Sequence, residues 1–329
     1  MTPDFINRVF QIKDQSDFLK ALPEVFKYQA ENNHVYRDFI NQPGIRKKSV
    51  KTPADIPFLP VELFKSHKIV TGNKKVERVF ESSGTTGTSI SRHYIADTEL
   101  YEKSFLNCFR LFYGNPEDFI IAALLPSYTE RENSSLVYMM ENLIQKSKDP
   151  LSGFYKSNTG EMLLNIERGK KEKRKILLMG VTFALLDLAE QYSPDLSGVI
   201  VMETGGMKGR RKEITRGELH SVLTRKLNVS SIHSEYGMTE LLSQAYSKGN
   251  GLFYCPPWMK IVLRDPQDPL SVITETGITG GINIIDLANI HSCPFIATGD
   301  LGKLHEDGGF EVLGRFDSSD IRGCNLLIE

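Results

Sequence analysis

Apolar positions in the first forty or so residues recur at helical spacing: Phe18, Leu19, Leu22, Val25 and Phe26 share one face, predicting one or two helices up to about Asn41. Pro53, Pro57 and Pro60 then break the repeat, because each disfavours the helical conformation in its predecessor, so Ile56 to Phe64 is expected to be extended. Val76, Val79 and Phe80 form a short apolar-polar stretch. Downstream, apolar runs alternate with helical patterns. Phe119 to Leu125 predicts a buried strand, Ser134 to Ile144 a helix, Ile176 to Met179 a strand, Phe183 to Ala189 a helix, and Val199 to Met202 another strand. Thr215 to Glu218 has the spacing of a capping box and opens a further helix. After about Tyr246 the pattern becomes strand-like, with Trp258 to Arg264, Gly281 to Asp286, and Phe310 to Leu313 following the turn Asp307-Gly308-Gly309.

This order predicts an α/β chain with strands buried on both faces. It divides into a helical segment with an extended lead-in (1–60), an α/β core (61–246) and a β-rich subdomain (247–329). The basic run Arg168 to Lys175 reads as a solvated loop rather than a phosphate site.

Composition narrows the functions. With 329 residues, the chain can bury a core without disulfides or metals. Lys plus Arg (40) nearly balances Asp plus Glu (41), leaving no field to hold a polynucleotide or an anionic membrane. Cys108, Cys255, Cys293 and Cys324 form no C-x-x-C pair, which argues against a zinc ribbon and suits a reducing cytosol. Cys108, among Phe105, Phe109 and Leu111, and Cys293, before Pro294, read as packing residues. No signal-like leader follows Met1, and no apolar run approaches the roughly 20 residues of a membrane span. A soluble, cytoplasmic protein is expected.

One loop stands out. Ser82-Ser83-Gly84-Thr85-Thr86-Gly87-Thr88-Ser89 packs small hydroxyl residues around two glycines. It is either an ordinary Ser/Thr/Gly turn or a loop whose backbone N–H groups and hydroxyls wrap a phosphate. A Walker A lysine is missing, which disfavours a P-loop ATPase. Three distant segments decide between the readings: Tyr236-Gly237-Met238-Thr239-Glu240, Thr298-Gly299-Asp300-Leu301-Gly302 and Gly314-Arg315-Phe316-Asp317.

With these four motifs in order, the chain resembles the adenylate-forming superfamily of acyl-CoA synthetases, adenylation domains and luciferases. The resemblance implies that superfamily's large N-terminal domain, with α/β subdomains and a β-rich C-terminal subdomain, and it implies ATP and Mg2+ as cofactors. Ser82, Ser83, Gly84, Thr85, Thr86 and Gly87 would cradle phosphate, with Gly205 and Gly206 bordering the adenine. Tyr236 would stack on the purine beside Gly237, Thr239 would contact the α-phosphate or the acyl carboxylate, Glu240 would hold magnesium, Asp300 would grip the ribose hydroxyls, and Arg315 would reach ribose or phosphate. Each assignment suits its chemistry: an aromatic face for a base, carboxylate for a hard cation and for a vicinal diol. Taken alone, Tyr236 reads as core, Glu240 as a helix-start charge, and Asp300 as a turn residue.

Superfamily members continue past the G-R-x-D motif into a mobile lid with a catalytic lysine, whereas this sequence stops at Glu329. The resemblance therefore implies that the lid is absent; Lys68, Lys208 and Arg92 are neighbourhood candidates to replace its lysine. Phe58 to Lys65, Leu125 to Tyr128, Gly180 to Phe183 and the tail Asp320 to Asn325 are similar to the LuxE-type acyl-protein synthetases of bacterial luminescence. In that branch a cysteine near the C-terminus receives the acyl group, and Cys324 stands there. A thiolate suits the step, since it is the best protein nucleophile near neutral pH.

The expected activity is acyl-protein synthesis: a fatty or similar carboxylic acid is adenylated, transferred to Cys324, then passed to an acyl-accepting reductase or carrier protein. The alternatives are an acyl- or aryl-CoA ligase without its lid, and a non-catalytic nucleotide-binding scaffold. His233 reads as a lining of the acyl pocket, as a base, or as a satisfied core histidine. Gly180 to Phe183 is expected to wall that pocket.

Overall fold

Helices α1 (Pro3–Val9), α2 (Gln15–Asn32) and α3 (His34–Ile40) open the computed structural model, which describes residues 3–45, 49–83, 90–125, 132–205 and 214–316. The apolar spacing predicted one or two helices. Asn33 makes the extra break: its backbone N–H closes α2 on Gln29 O, while its side chain accepts from Tyr36 N to start α3. A short amide can do both because it competes with the backbone for hydrogen bonds.

The proline-rich segment is extended only in part. Strand β1 (Leu59–Pro60) runs parallel to Ile296 and Ala297, and a short helix α4 (Leu63–Ser66) follows directly. Leu63 and Phe64 are thus helical rather than extended, since Pro60 restricts the residue before it and leaves those after it free. Strands β2 (Arg78–Glu81) and β3 (Arg92–Ile95) pair antiparallel with Phe80 opposite His93, so Ser82 and Ser83 continue from one strand and Ile90 and Ser91 lead into the other.

Next come α5 (Thr98–Tyr113), β4 (Phe119–Leu124), α6 (Ser135–Ser147), β5 (Gly153–Phe154), α7 (Thr159–Lys171) and β6 (Lys175–Val181). They are followed by α8 (Thr182–Gln191), β7 (Ile200–Thr204), α9 (Arg216–Leu227), β8 (Ile232–Tyr236) and β9 (Ala245–Ser247). The strands form a sheet in the order β5-β4-β6-β7-β8-β9, parallel except for β9. Every residue of β4 is buried, which explains its unbroken apolar run. Ile121 and Met179 face α5 and α6, whereas Ile120 and Leu178 join the core beneath α7, α8 and α9.

The capping box of α9 forms in full, with Thr215 accepting from Glu218 N and the Glu218 carboxylate accepting from Thr215 N. The basic run corrects the loop expected there. Arg168 to Lys171 is the last turn of α7, and Gly169 lies so close to β4 that an added Cβ would stand 2.5 Å from Ile120 Cδ1. Met162, Ile166 and Gly169 form the buried stripe that the surrounding lysines masked.

The remaining strands are β10 (Leu252–Phe253), β11 (Met259–Arg264), β12 (Val272–Ile273), β13 (Thr279–Asp286), β14 (Phe295–Leu304) and β15 (Phe310–Arg315). Their antiparallel sheet has the order β10-β15-β14-β13-β11-β12, with β1 beside β14. Cys108 and Cys293 are fully buried, as expected of packing residues. Among the described residues, no helix is long and apolar enough to cross a membrane.

Candidate active site

In open α/β sheets ligands gather outside the carboxyl ends of parallel strands. Here the carboxyl end of β8 meets β14 and β15 of the other sheet. Tyr236, the last residue of β8, packs edge-on against Phe253 and Phe310, with centroids 6.0 and 5.7 Å away. Its hydroxyl donates to Asp300 Oδ2 at 2.7 Å. Arg315, opposite Asp300 in the β14–β15 ladder, donates Nε to Asp300 Oδ1 at 3.3 Å. The Arg315 side chain is 83 % exposed, so water screens this pair and its guanidinium faces solvent. Tyr236, Asp300 and Arg315, from three motifs, thus meet at one point. Tyr236 is more enclosed than a free aromatic platform, being 8 % exposed.

One motif glycine is a steric necessity: a Cβ on Gly302 would stand 2.6 Å from the backbone oxygen of Glu311. A Cβ on Gly237 would push aside the Glu235 carboxylate, 2.3 Å from its Oε1.

Thr239 and Glu240 lie in the turn after Gly237. Glu240 is buried; burial raises its carboxyl pKa, while the Ser91 hydrogen bond and the charge of Arg315 oppose the rise. Ser91 in turn closes the mouth of the β2–β3 hairpin: its N–H donates to Ser82 Oγ, and Ser82 N–H donates to Ser91 O, both at 3.0 Å. Ser82 is thus tied to Ser91, whose side chain acts to lower the Glu240 carboxyl pKa, with the exposed Ser83 beside it. Gly84, Thr85, Thr86, Gly87, Gly206, Lys208 and Cys324 lie outside the described residues. Gly205 takes a left-handed φ of 69°, and its carbonyl accepts from Thr182 Oγ1 at 2.8 Å.

Several buried polar residues near these strand ends escaped sequence reasoning. Thr204 Oγ1 donates to Glu235 Oε2 at 2.5 Å, their residues being opposite in the β7–β8 ladder. Burial and the nearby charge of Glu203 push the Glu235 carboxyl up to about 7, against the Thr204 bond. On the other face, burial would raise Glu203, but His220 and Arg216 more than offset it and lower its pKa. Arg216 also donates to Val312 O at 2.9 Å, tying α9 to β15. The visible signal for Glu203 and Glu235 was a carboxylate at the end of a short apolar strand; the fold alone supplies their partners.

His233 turns out to be partnered, with Nδ1 3.1 Å from the Tyr113 hydroxyl, and burial lowers it to about 4. That geometry matches the satisfied-histidine reading. Arg92 pairs with Glu81 at 3.1 Å, and Lys68 lies over the Tyr94 ring.

Among the described residues, no group of three or more His, Cys, Asp or Glu side chains converges to hold a metal.

No protein-family model and no curated protein matches this chain. Solved structures do. ATP-bound MatB from Rhodopseudomonas palustris is 18 % identical with a TM-score of 0.56, covering 74 % of this chain and 49 % of its own. A 2-hydroxyisobutyryl-CoA ligase with 2-HIB-AMP, in its postadenylation state, is 14 % identical with a TM-score of 0.67, over 92 % of this chain and 68 % of its own. O-succinylbenzoate coenzyme A synthetase (MenE) from Bacillus subtilis, with ATP and a magnesium ion, is 17 % identical with a TM-score of 0.50, over 74 % and 50 %. This chain therefore spans about half the length of MatB and two thirds of the hydroxyisobutyryl ligase. At such identities the likeness establishes the fold, the adenylate-forming enzyme fold expected from the motifs.

Proposed function

We propose that this chain is an ATP-dependent, AMP-forming ligase that activates a carboxylic acid and passes the acyl group to a thiol, that of Cys324, and on to a partner protein. The observation that carries the reading is the meeting of Tyr236, Asp300 and Arg315, from three separate motifs, at the carboxyl end of β8.

In the first step a carboxylate oxygen attacks the α-phosphorus of ATP, the bond to pyrophosphate breaks, and acyl-AMP forms. In the second the Cys324 thiolate attacks the acyl carbon, the bond to AMP oxygen breaks, and AMP leaves with its electron pair. The thioester keeps enough reactivity for a further transfer to a reductase or carrier protein. Asp300, held by Tyr236, accepts from the ribose hydroxyls, and Tyr236 borders the purine with Gly205 and Gly206. Ser82, Ser83 and the Gly84–Gly87 segment bind phosphate, Thr239 orients the reacting carboxylate, and Arg315 offsets negative charge in the transition state. Glu240 would hold magnesium, which supplies charge neutralisation at the phosphates. A fatty acid is the substrate class implied by the LuxE-type motifs.

Coenzyme A as acceptor is the second reading, favoured by the fold relatives named as CoA ligases. ATP–pyrophosphate exchange across a panel of carboxylic acids, with wild type and Glu240→Ala, tests the shared first step. Acid-dependent exchange that disappears in Glu240→Ala is expected; no exchange with any acid, despite bound ATP, would instead favour a scaffold.

A further inference from the structure

The backbone carbonyls of Thr239 and Glu240 lie outside any strand or helix, and each is served by a side chain from elsewhere in the chain. His93 Nδ1 stands 2.8 Å from Thr239 O, and Asn289 Nδ2 donates to Glu240 O at 2.8 Å. The partners are separated by 146 and 49 residues, so neither bond follows from local folding. The Glu240 carbonyl is buried and the Thr239 carbonyl partly so, and a carbonyl cut off from water needs such a donor.

His93 is fully buried on β3, two residues from Ser91, with its ring edge-on to Phe64 of α4. Its other nitrogen, Nε2, faces Asn289 Oδ1 at 3.2 Å. Asn289 cannot turn its amide to suit, because Nδ2 already serves two carbonyls, Glu240 O and Cys293 O at 3.0 Å. The imidazole therefore stands between two acceptors, and a neutral ring carries a single N–H. The shorter contact takes it.

We infer that His93 is a positioning residue: by donating Nδ1–H to the Thr239 carbonyl, it fastens the hairpin that carries Ser82 to the turn that carries Thr239 and Glu240. This role rests on the proposed adenylation reaction. Burial agrees with a neutral ring, lowering its pKa to about 4 despite the two hydrogen bonds. Phe64 sets the ring plane, Asn289 holds the next carbonyl, and the Thr239–Glu240 peptide is thereby fixed from two sides. Loss of the His93 bond would let the turn rotate without removing any group that touches substrate.

The test combines exchange kinetics with histidine-selective 15N NMR. His93→Phe fills the site but leaves Thr239 O without its donor; it should keep the ATP KM within about threefold and lower kcat for pyrophosphate exchange about tenfold or more, the scale of a small misplacement. His93→Gln, which restores an N–H donor, should recover part of that loss. An unchanged kcat in His93→Phe, a change confined to KM, or no recovery in His93→Gln would overturn the role. If wild type exchanges with no acid, the adenylation reading fails on its own, and the NMR decides the clamp: an Nδ1–H ring supports it, whereas an Nε2–H ring overturns it.

Discussion

The Tyr236 hydroxyl donates to Asp300 Oδ2 across 2.7 Å, joining the carboxyl end of the parallel sheet to the antiparallel one. Because the acceptor is a carboxylate and both residues are buried, this bond belongs to the stronger class. Tyr236→Phe should therefore lose about 1.5–3 kcal/mol of stability, read as a lower urea midpoint, and raise the ATP KM by freeing Asp300 to move. An unchanged midpoint with unchanged KM would show that the bond holds neither the sheets nor the ribose site.

Glu235 gives a pH dependence of definite sign. Its carboxyl rises from 4.5 to about 7 in the folded chain, so the folded state binds this proton more tightly than the unfolded state. The contribution is complete below about pH 4.5 and is lost as pH rises through about 7. By linkage the loss is on the order of 3 kcal/mol. Glu235→Gln keeps an oxygen for the Thr204 hydroxyl but cannot ionise. Urea titrations should find it about as stable as wild type near pH 4.5 and more stable by about 1–3 kcal/mol near pH 8; equal stability at both values would refute the buried-proton account.

Asp286 anchors the segment just after Glu240. Fully buried, it accepts from Leu242 N and Ser243 N through Oδ2 and from Ser243 Oγ and Ala288 N through Oδ1. An asparagine there must turn an NH2 toward donors in either orientation. Asp286→Asn should lose about 3 kcal/mol or more in thermal or urea unfolding. A loss below about 1 kcal/mol would mean that the segment holds without this carboxylate.

Cys324 is the proposed acyl carrier. Incubation with labelled acid and ATP should leave a hydroxylamine-sensitive label on wild type and none on Cys324→Ser, while pyrophosphate exchange stays unchanged. Label that persists in Cys324→Ser would assign the thioester elsewhere, and label appearing only on added coenzyme A would favour the second reading.

The sequence exposed the parts of the fold that depend on near neighbours. Phe119 to Leu124 is apolar because both faces of β4 are covered, and the Thr215–Glu218 box needs residues only three apart. Motif order also brought forward Tyr236, Asp300, Glu240 and Arg315. His93, Asn289 and Asp286 stayed hidden because their distant partners lie 43 to 196 residues away and no periodicity marks them. The α7 terminus was missed for the opposite reason: six Lys or Arg residues between 168 and 175 hid the small, buried Gly169.

Strand β15 is held at two places, by Arg216 on Val312 O and by the Arg315–Asp300 pair. Cys324 follows Arg315 by nine residues, and nine residues reach at most about 30 Å. Chain length alone therefore bounds how far Cys324 can stand from Arg315. A thiol confined to that radius around Asp300 has an effective concentration on the order of 10 mM, so capture of the activated acyl group would be intramolecular and independent of how dilute the protein is.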